Sequence, residues 1–374
     1  MKIIVIGGSI GGLSAGIALS CKGFDVEIYE RSTSRMKGRG AGLVIQPDMV
    51  AYLRQHNISP KEVFGIPALE RQILSSSGRA AYKYKNDTTF TSWNYIWQQL
   101  KDHFPEEKYF YGHELNKIEQ IDRSAIAVFK NGATKQADLI IGADGYGSMV
   151  REHFLPTLAP EYAGYIAYRG LIPEVDLTEE EISFFDNKFS IYPYDNSHIL
   201  CYMVPGVNGE LNKGDRQFNW VWYVNKTDSQ LERVLVDKNG NKRQYSVPPT
   251  FLSDESLEEL KELADRELPE ILRDRIHQTK NPFVQVIVDM SVPKMFDNRV
   301  AILGDAASVV RPHTASGTAK AYRDAIALAD CLFHHDSNID KALPHWNDQQ
   351  LREALGLTMH GLRLASRSGL GNSK

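Results

Sequence analysis

The sequence predicts an α/β chain in which a mainly antiparallel sheet is inserted into a parallel one and helices close the C-terminus. Three observations carry this expectation. A β-branched run at the very start, Ile3-Ile4-Val5-Ile6, leads straight into a glycine turn. Two distant apolar runs each end in a glycine followed by an acid, Leu139-Ile140-Ile141-Gly142-Ala143-Asp144 and Ile302-Leu303-Gly304-Asp305. Between them lie aromatic stretches of period two, as strands with two distinct faces require. The 374 residues, 42% apolar and 24% charged, are enough for a large core and argue against long disorder.

The opening run suits a parallel strand buried on both faces. Gly7-Gly8-Ser9-Ile10-Gly11-Gly12 follows, then a helix to about Gly23, then a second strand, Asp25-Val26-Glu27-Ile28-Tyr29, closed by Glu30. That is the order of a dinucleotide-binding βαβ unit. Gly7 permits the tight exit from the strand, and Gly12 lets the helix approach the sheet. The free N–H groups at the helix start, from Ser9 and Ile10 to Gly11 and Gly12, face a pyrophosphate. Glu30 stands where a carboxylate accepts the hydroxyls of an adenosine ribose. Ser9 occupies the middle glycine position of the fingerprint, a departure that weakens the fit.

The second motif continues from Asp144-Gly145 through Ser148, where a helix opens, to Arg151 on its first turn. In the third, Gly304-Asp305 ends a strand, a loop carries Arg311-Pro312-His313-Thr314-Ala315-Ser316, and a helix begins near Gly317. That helix shows an apolar stripe through Ala321, Ala325, Leu328 and Leu332.

Taken together, these three motifs resemble the FAD-dependent aromatic hydroxylases, the p-hydroxybenzoate hydroxylase-like single-component flavoprotein monooxygenases. Gln46-Pro47, Thr91-Ser92-Trp93, Gly164-Tyr165 with Arg169-Gly170, Phe185-Asp186-Asn187-Lys188-Phe189 and Arg311-Pro312-His313-Thr314-Ala315 look like the 2,6-dihydroxypyridine 3-hydroxylase branch. The resemblance implies a Rossmann-like FAD-binding domain of glutathione-reductase type, made of residues 1–70, 93–155 and 285–335. It implies a substrate-binding β-sheet domain of residues 71–92 and 156–284, and a helical segment over 336–374. It also implies that Gly7, Ser9, Ile10, Gly11 and Gly12 hold the FAD pyrophosphate and that Glu30 and Arg31 hold its adenosine end. Asp305, after Gly304, takes the ribityl chain. Arg39, Gln98, Leu115 and Asp144 fall where the family contacts FAD, and Ala315 and Gly317 lie near its ring. The chain departs from the family at Ala319, where an asparagine is common, and at Ala315, which replaces a glycine.

By the same resemblance the chemistry is a hydroxylation with NADPH or NADH and O2 through a C4a-hydroperoxyflavin. The substrate is a small aromatic or N-heteroaromatic, hydroxypyridine-like ring. The segment Pro312-His313-Thr314-Ala315-Ser316-Gly317 offers backbone N–H groups and a helix N-terminus to the reduced flavin. His313, beside Pro312, is the first candidate for polarising the ring hydroxyl, since an ordinary imidazole titrates near neutrality; a loop histidine bonded only to backbone is the alternative. A larger polycyclic substrate of tetracycline or polyketide type, a non-oxygenating FAD-dependent reductase and a flavin-bound sensor are the rival readings.

In the inserted sheet Phe218, Trp220 and Trp222 share one face of a strand, and Asn219, Val221 and Tyr223 the other. Tyr168, Tyr192, Tyr194, Tyr202, Trp220 and Trp222 are the candidates for the substrate pocket. Ser190 to Tyr194 and Ile199 to Met203 flank an Asp195-Asn196-Ser197 turn and predict a hairpin. Ser256-Leu257-Glu258-Glu259 predicts a helix start by its capping-box spacing.

A net charge of −4, from 43 basic and 47 acidic side chains, is too balanced for a nucleic-acid or membrane-surface binder. Three isolated cysteines argue against a disulfide scaffold and a zinc module. No signal-peptide pattern and no long apolar run are present, so the expectation is a soluble, cytoplasmic enzyme without a metal. Whether it forms a homodimer, with the C-terminal helices at the contact, stays open.

Overall fold

The computed structural model describes residues 1–36, 40–58 and 65–371. A six-stranded sheet is built on the opening strand, Lys2–Ile6. That strand pairs in parallel with Asp25–Tyr29 on one side and with Leu139–Gly142 on the other. Leu139–Gly142 in turn pairs in parallel with Val300–Ile302. The strands that precede the glycine turn, the Asp144 turn and the Asp305 turn are therefore neighbours pointing the same way. Their C-terminal ends open on one edge of the sheet, where an α/β fold places a ligand. Ile3, Ile4, Val5 and Leu139 to Ile141 are fully buried, as a central parallel strand requires.

A second sheet runs in the order Ser246–Val247, Phe283–Ser291, Glu161–Pro173, Gln217–Asn225, Ser197–Val204, Lys188–Tyr194, Ile66–Leu74, Ala80–Ser92 and Gly42–Val44. It is antiparallel except where Lys188–Tyr194 lies beside Ile66–Leu74. It thus draws strands from residues 42–44 and 66–70, which the sequence reading had given to the cofactor half. A three-stranded sheet, Leu115–Ile121, Ser124–Phe129 and Thr134–Ala137, flanks the first one. The hairpin expected around Asp195-Asn196 is formed, with Asn196 left-handed at φ +58°.

One face of the large sheet buries Tyr168, Trp220, Trp222, Val284 and Val286 against the helices Asp254–Glu267 and Glu270–Gln278. The cap of the first of these helices is Ser253, whose Oγ accepts from Ser256 N; Ser256 lies inside the helix. The other face carries Tyr165, Ala167, Val221, Tyr223 and Ile287. A single helix, Ile339–Arg367, runs along the C-terminal side and meets the Pro312–Thr314 turn. Gly361 makes that contact possible, since a Cβ there would stand 3.2 Å from Arg311 Cβ. Among the described residues no helix is long and apolar enough to cross a membrane.

Candidate functional site

The glycine turn is held by sterics that leave no alternative residue. Gly7 sits at φ +103°, and a Cβ on it would come within 2.4 Å of Ala143 O. A Cβ on Gly12 would come within 1.8 Å of Gly7 O. The first empty position keeps the glycine turn against the second motif, and the other keeps the helix start against the turn itself. Ser9 begins the helix Ile10–Cys21 without a capping hydrogen bond, so its side chain leaves the first-turn N–H groups open. Such a helix start, with Ile10, Gly11 and Gly12 in its first turn, suits a phosphate.

Glu30 is buried beside this turn. Its carboxylate accepts from Gly8 N at 2.8 Å and from Ser32 N at 2.8 Å. The sequence reading reserved both oxygens for a ribose; two of their lone pairs hold the turn in shape, and the remainder are free. Gly8 O accepts from Trp97 Nε1 at 3.0 Å and Tyr109 Oη at 2.9 Å, which fixes the turn from the opposite side.

Asp144 is committed to its own helix. Its carboxylate takes the Ser148 hydroxyl and the N–H groups of Met149 and Val150. Arg151 reaches from that helix to Tyr146 O at 2.7 Å and Ala306 O at 3.1 Å, tying the second motif to the third. Gly304, at φ +59°, donates to Asp324 Oδ2 at 2.8 Å, and Lys320 Nζ stands 2.6 Å from the same oxygen in a fully buried ion pair. Asp305, the next residue, is within electrostatic reach of both members of this pair. Burial among protein atoms pushes its carboxyl up and Lys320 draws it back. The side chain is exposed, so crevice water tempers both effects.

The Pro312–Thr314 turn follows. Arg311 clamps it to the large sheet through a bidentate pair with Asp289, at 2.8 and 2.6 Å. Ala315 is left-handed at φ +53°, the conformation a glycine adopts without cost. This accounts for the glycine that the resemblance places there. Gln46 Nε2 donates to Ala315 O at 3.4 Å and Arg169 Nη2 to Gly42 O at 3.1 Å, so the 42–46 segment bridges turn and sheet.

His313 faces the sheet. Its Nε2 is 2.9 Å from Tyr165 Oη, and its ring lies 4.5 Å from Tyr223 and 5.5 Å from His198 between centres. Burial, then His198 and Arg311, push the imidazole down to about 3. Proton exchange near neutrality is therefore not its state: at pH 7 it is a neutral hydrogen-bonding ring. Burial likewise pushes His198 down to about 4 and Tyr165 and Tyr223 up.

The pocket candidates divide by face. Tyr168, Tyr192, Trp220 and Trp222 lie in the core against the helices, with Tyr194 packed on it, turned away from His313. Only Tyr202 belongs to the other face, stacked on Phe90 at 3.8 Å. The reason is strand alternation: Tyr165, Arg169, Tyr223 and Asn219 occupy the intervening positions, and one contact to His313 decides the parity of the whole sheet. Sequence alone separated the two faces of Gln217–Asn225, and the signal that selects between them is long-range. On the His313 face, among the described residues, Arg169 Nε and Asn219 Nδ2 are buried without a hydrogen-bond partner.

Among the other expected contacts, Arg31 is exposed beyond the second strand, and Gln98 is half-buried on the helix Trp93–His103, next to Trp97. The Leu115 side chain is in the core, leaving only its backbone to meet a ligand. Arg39 lies outside the described residues. Gly317 opens the helix Gly317–His334.

Comparison with known proteins agrees with this geometry. A family model described as FAD binding domain-like matches residues 162–289. The 2,6-dihydroxypyridine 3-monooxygenase of Paenarthrobacter nicotinovorans is 31% identical over 374 residues, covering 100% of this chain and 92% of that protein. The 6-hydroxynicotinate 3-monooxygenase of Pseudomonas fluorescens is 27% identical, over 88% of this chain and 82% of the relative. The solved 2,6-dihydroxypyridine-3-hydroxylase from Arthrobacter nicotinovorans superposes with a TM-score of 0.91 at 31% identity, over 98% of this chain and 92% of that one. The convergent glycine, Asp144 and Asp305 turns and this full-length similarity have one explanation: the chain belongs to the FAD-dependent aromatic hydroxylases, and it is a flavoprotein monooxygenase.

Proposed function

We propose that this enzyme hydroxylates a small, electron-rich N-heteroaromatic ring of the hydroxypyridine type, consuming NAD(P)H and O2. The observation that carries the reading is the polar, ring-lined face formed by Tyr165, His198, Tyr223 and His313 in a chain similar along its length to a dihydroxypyridine monooxygenase. In this reading Gly7, Ser9, Ile10, Gly11 and Gly12 hold the FAD pyrophosphate. Glu30 and Arg31 hold the adenosine half, Asp305 the ribityl chain, and Arg39 falls among the further cofactor contacts. Asp144, Gly304, Gln98 and Leu115 complete the cradle. Bound FAD, once reduced by NAD(P)H, supplies the chemistry that places one oxygen atom of O2 on the ring and releases the other as water.

The chain's own residues prepare that ring. The neutral His313 and the Tyr165 hydroxyl share one proton between Nε2 and Oη and offer hydrogen bonds without adding charge. Arg169 is a cation on the same face and favours a ring hydroxyl in its ionised, electron-rich form. The Pro312–Thr314 turn, Ala315 and the start of the Gly317–His334 helix place a positive helix end beside the crevice, worth about 0.3–2 kcal/mol to a neighbouring anion. The flanking aromatic rings exclude water, which protects oxygen transfer from wasteful peroxide release. The division into FAD-binding and substrate-binding parts and a cytoplasmic setting where NAD(P)H is at hand belong to the same reading.

A screen of hydroxypyridines, hydroxybenzoates and related phenols against the FAD-loaded protein tests it. A hydroxypyridine should stimulate NAD(P)H and O2 consumption and emerge heavier by one oxygen atom. Stimulation by none of these rings would refute the reading.

A further inference from the structure

A cavity of about 490 Å³ lies between the Asp195-Asn196 turn and the end of the C-terminal helix. Ile191, Pro193 and Leu200 form its apolar walls, and Asp195 and Arg367 stand at its mouth. Both charged residues are exposed, and neither makes an ion pair among the described residues. The volume is that of a small-molecule site.

Its inner wall is His198, only 9% exposed. Among the described residues this imidazole makes no hydrogen bond, and its Nδ1 is buried without a partner. A buried polar group left unpaired is uncommon and calls for an explanation. Held neutral by burial, the ring offers one N–H donor and one nitrogen acceptor. That pair can meet a ring hydroxyl or a ring nitrogen in either sense. Its observed neighbours are aromatic: Tyr223 at 5.0 Å and His313 at 5.5 Å between ring centres. Rotation of the His198 side chain breaks no hydrogen bond, and beyond it stands the His313 site.

We propose that this cavity is the vestibule through which the hydroxylated ring reaches the His313 site, with His198 as its inner gate. The proposal rests on the ring-hydroxylating reading of that site and adds the path to it. The occupant is the aromatic substrate itself, because the cavity and the site share one face of the sheet and are divided by tilted aromatic rings. The opposite face is filled by the Trp220 and Trp222 core.

A path differs from a binding site in its kinetics: narrowing it slows entry and exit alike and leaves the equilibrium untouched. Pro193 is exposed at the mouth and is the cross-strand partner of His198, so Pro193→Trp narrows the cavity without entering the core. The FAD-loaded Pro193→Trp protein is mixed rapidly with 2,6-dihydroxypyridine while the flavin absorbance is followed. Association and dissociation rates should both fall, by about tenfold, with Kd unchanged. Unchanged rates, or a Kd altered at constant association rate, would overturn the vestibule. Iodide quenching of flavin fluorescence gives a reading independent of the ring, and its slope should drop in Pro193→Trp. An unchanged slope would overturn the vestibule even if no ring perturbed the wild-type flavin, an outcome that by itself speaks against the proposed substrate.

Discussion

At the glycine turn, a single added Cβ on Gly12 would approach the Gly7 carbonyl oxygen to 1.8 Å, whereas on the large sheet two adjacent residues, Trp222 and Tyr223, stand in unrelated surroundings. The first region is fixed by backbone sterics between residues close in sequence. The second is fixed by parity, and parity is set by a contact to His313 far along the chain. A motif can therefore be read where it is local, while a face must be chosen by something distant.

The contrast is open to experiment. Gly12→Ala should be the most damaging single change, because neither Gly7 nor the helix can retreat without parting from the sheet. Overpacking at this level costs about 3 kcal/mol, and thermal unfolding together with the flavin-to-protein absorbance ratio of the purified protein measures it. Near-normal stability with full flavin would show that the turn is looser than its geometry.

Acid should come next. His198 and His313 are held neutral in the folded chain, with values near 4 and 3, while an unfolded histidine titrates near 6.5. Below about 6.5 the unfolded chain binds more protons, so their contribution is complete above that pH and drains away as pH falls toward 4. With the opening of His313 to the crevice discounted, the two together account for about 2 kcal/mol at pH 5. His313→Gln should flatten the dependence of melting temperature on pH between 5 and 7; an unchanged slope would remove His313 from this account.

The two neighbours on the aromatic strand should separate cleanly. Trp222 Nε1 donates to Tyr194 Oη at 3.0 Å and Ser197 Oγ at 3.2 Å. Trp222→Phe should cost about 1–2 kcal/mol of stability and leave the coupling of NAD(P)H to product intact. Tyr223→Phe should do the reverse, lowering coupling with little change in melting temperature. Equal behaviour of the pair would erase the distinction between faces. Ala315→Gly should show the smallest effect, a gain of about 0.5 kcal/mol as left-handed strain is relieved against the added freedom of the unfolded chain. Differential scanning calorimetry would register it as a slight rise in melting temperature.

Much of the fold was legible because its signals are short-range. The strand, glycine turn, helix and Glu30 announce themselves within thirty residues, and the turns at Asp144 and Asp305 repeat the logic. Ala315 could be flagged because the resemblance supplied the glycine it replaces, and the backbone confirms the need. The substrate side was less legible. Trp220 and Trp222 drew attention by size, yet large side chains are what a core consumes, and the choice between faces required the Tyr165–His313 contact. The charge state of His313 was hidden too, since the rings that enclose it come from the strands of Tyr165, His198 and Tyr223. Asp144 invited a ligand-binding role, and that its carboxylate also caps its own helix is something only the positions of Met149 and Val150 disclose.

The most direct test of the account is a crystal structure of the protein with FAD and a bound hydroxypyridine. The account predicts the cofactor spanning residues 7–12 and 304–317, with the ring against His313, Tyr165 and Tyr223. A ring lodged among Tyr168, Trp220 and Trp222, or a cofactor that leaves Asp305 untouched, would contradict it.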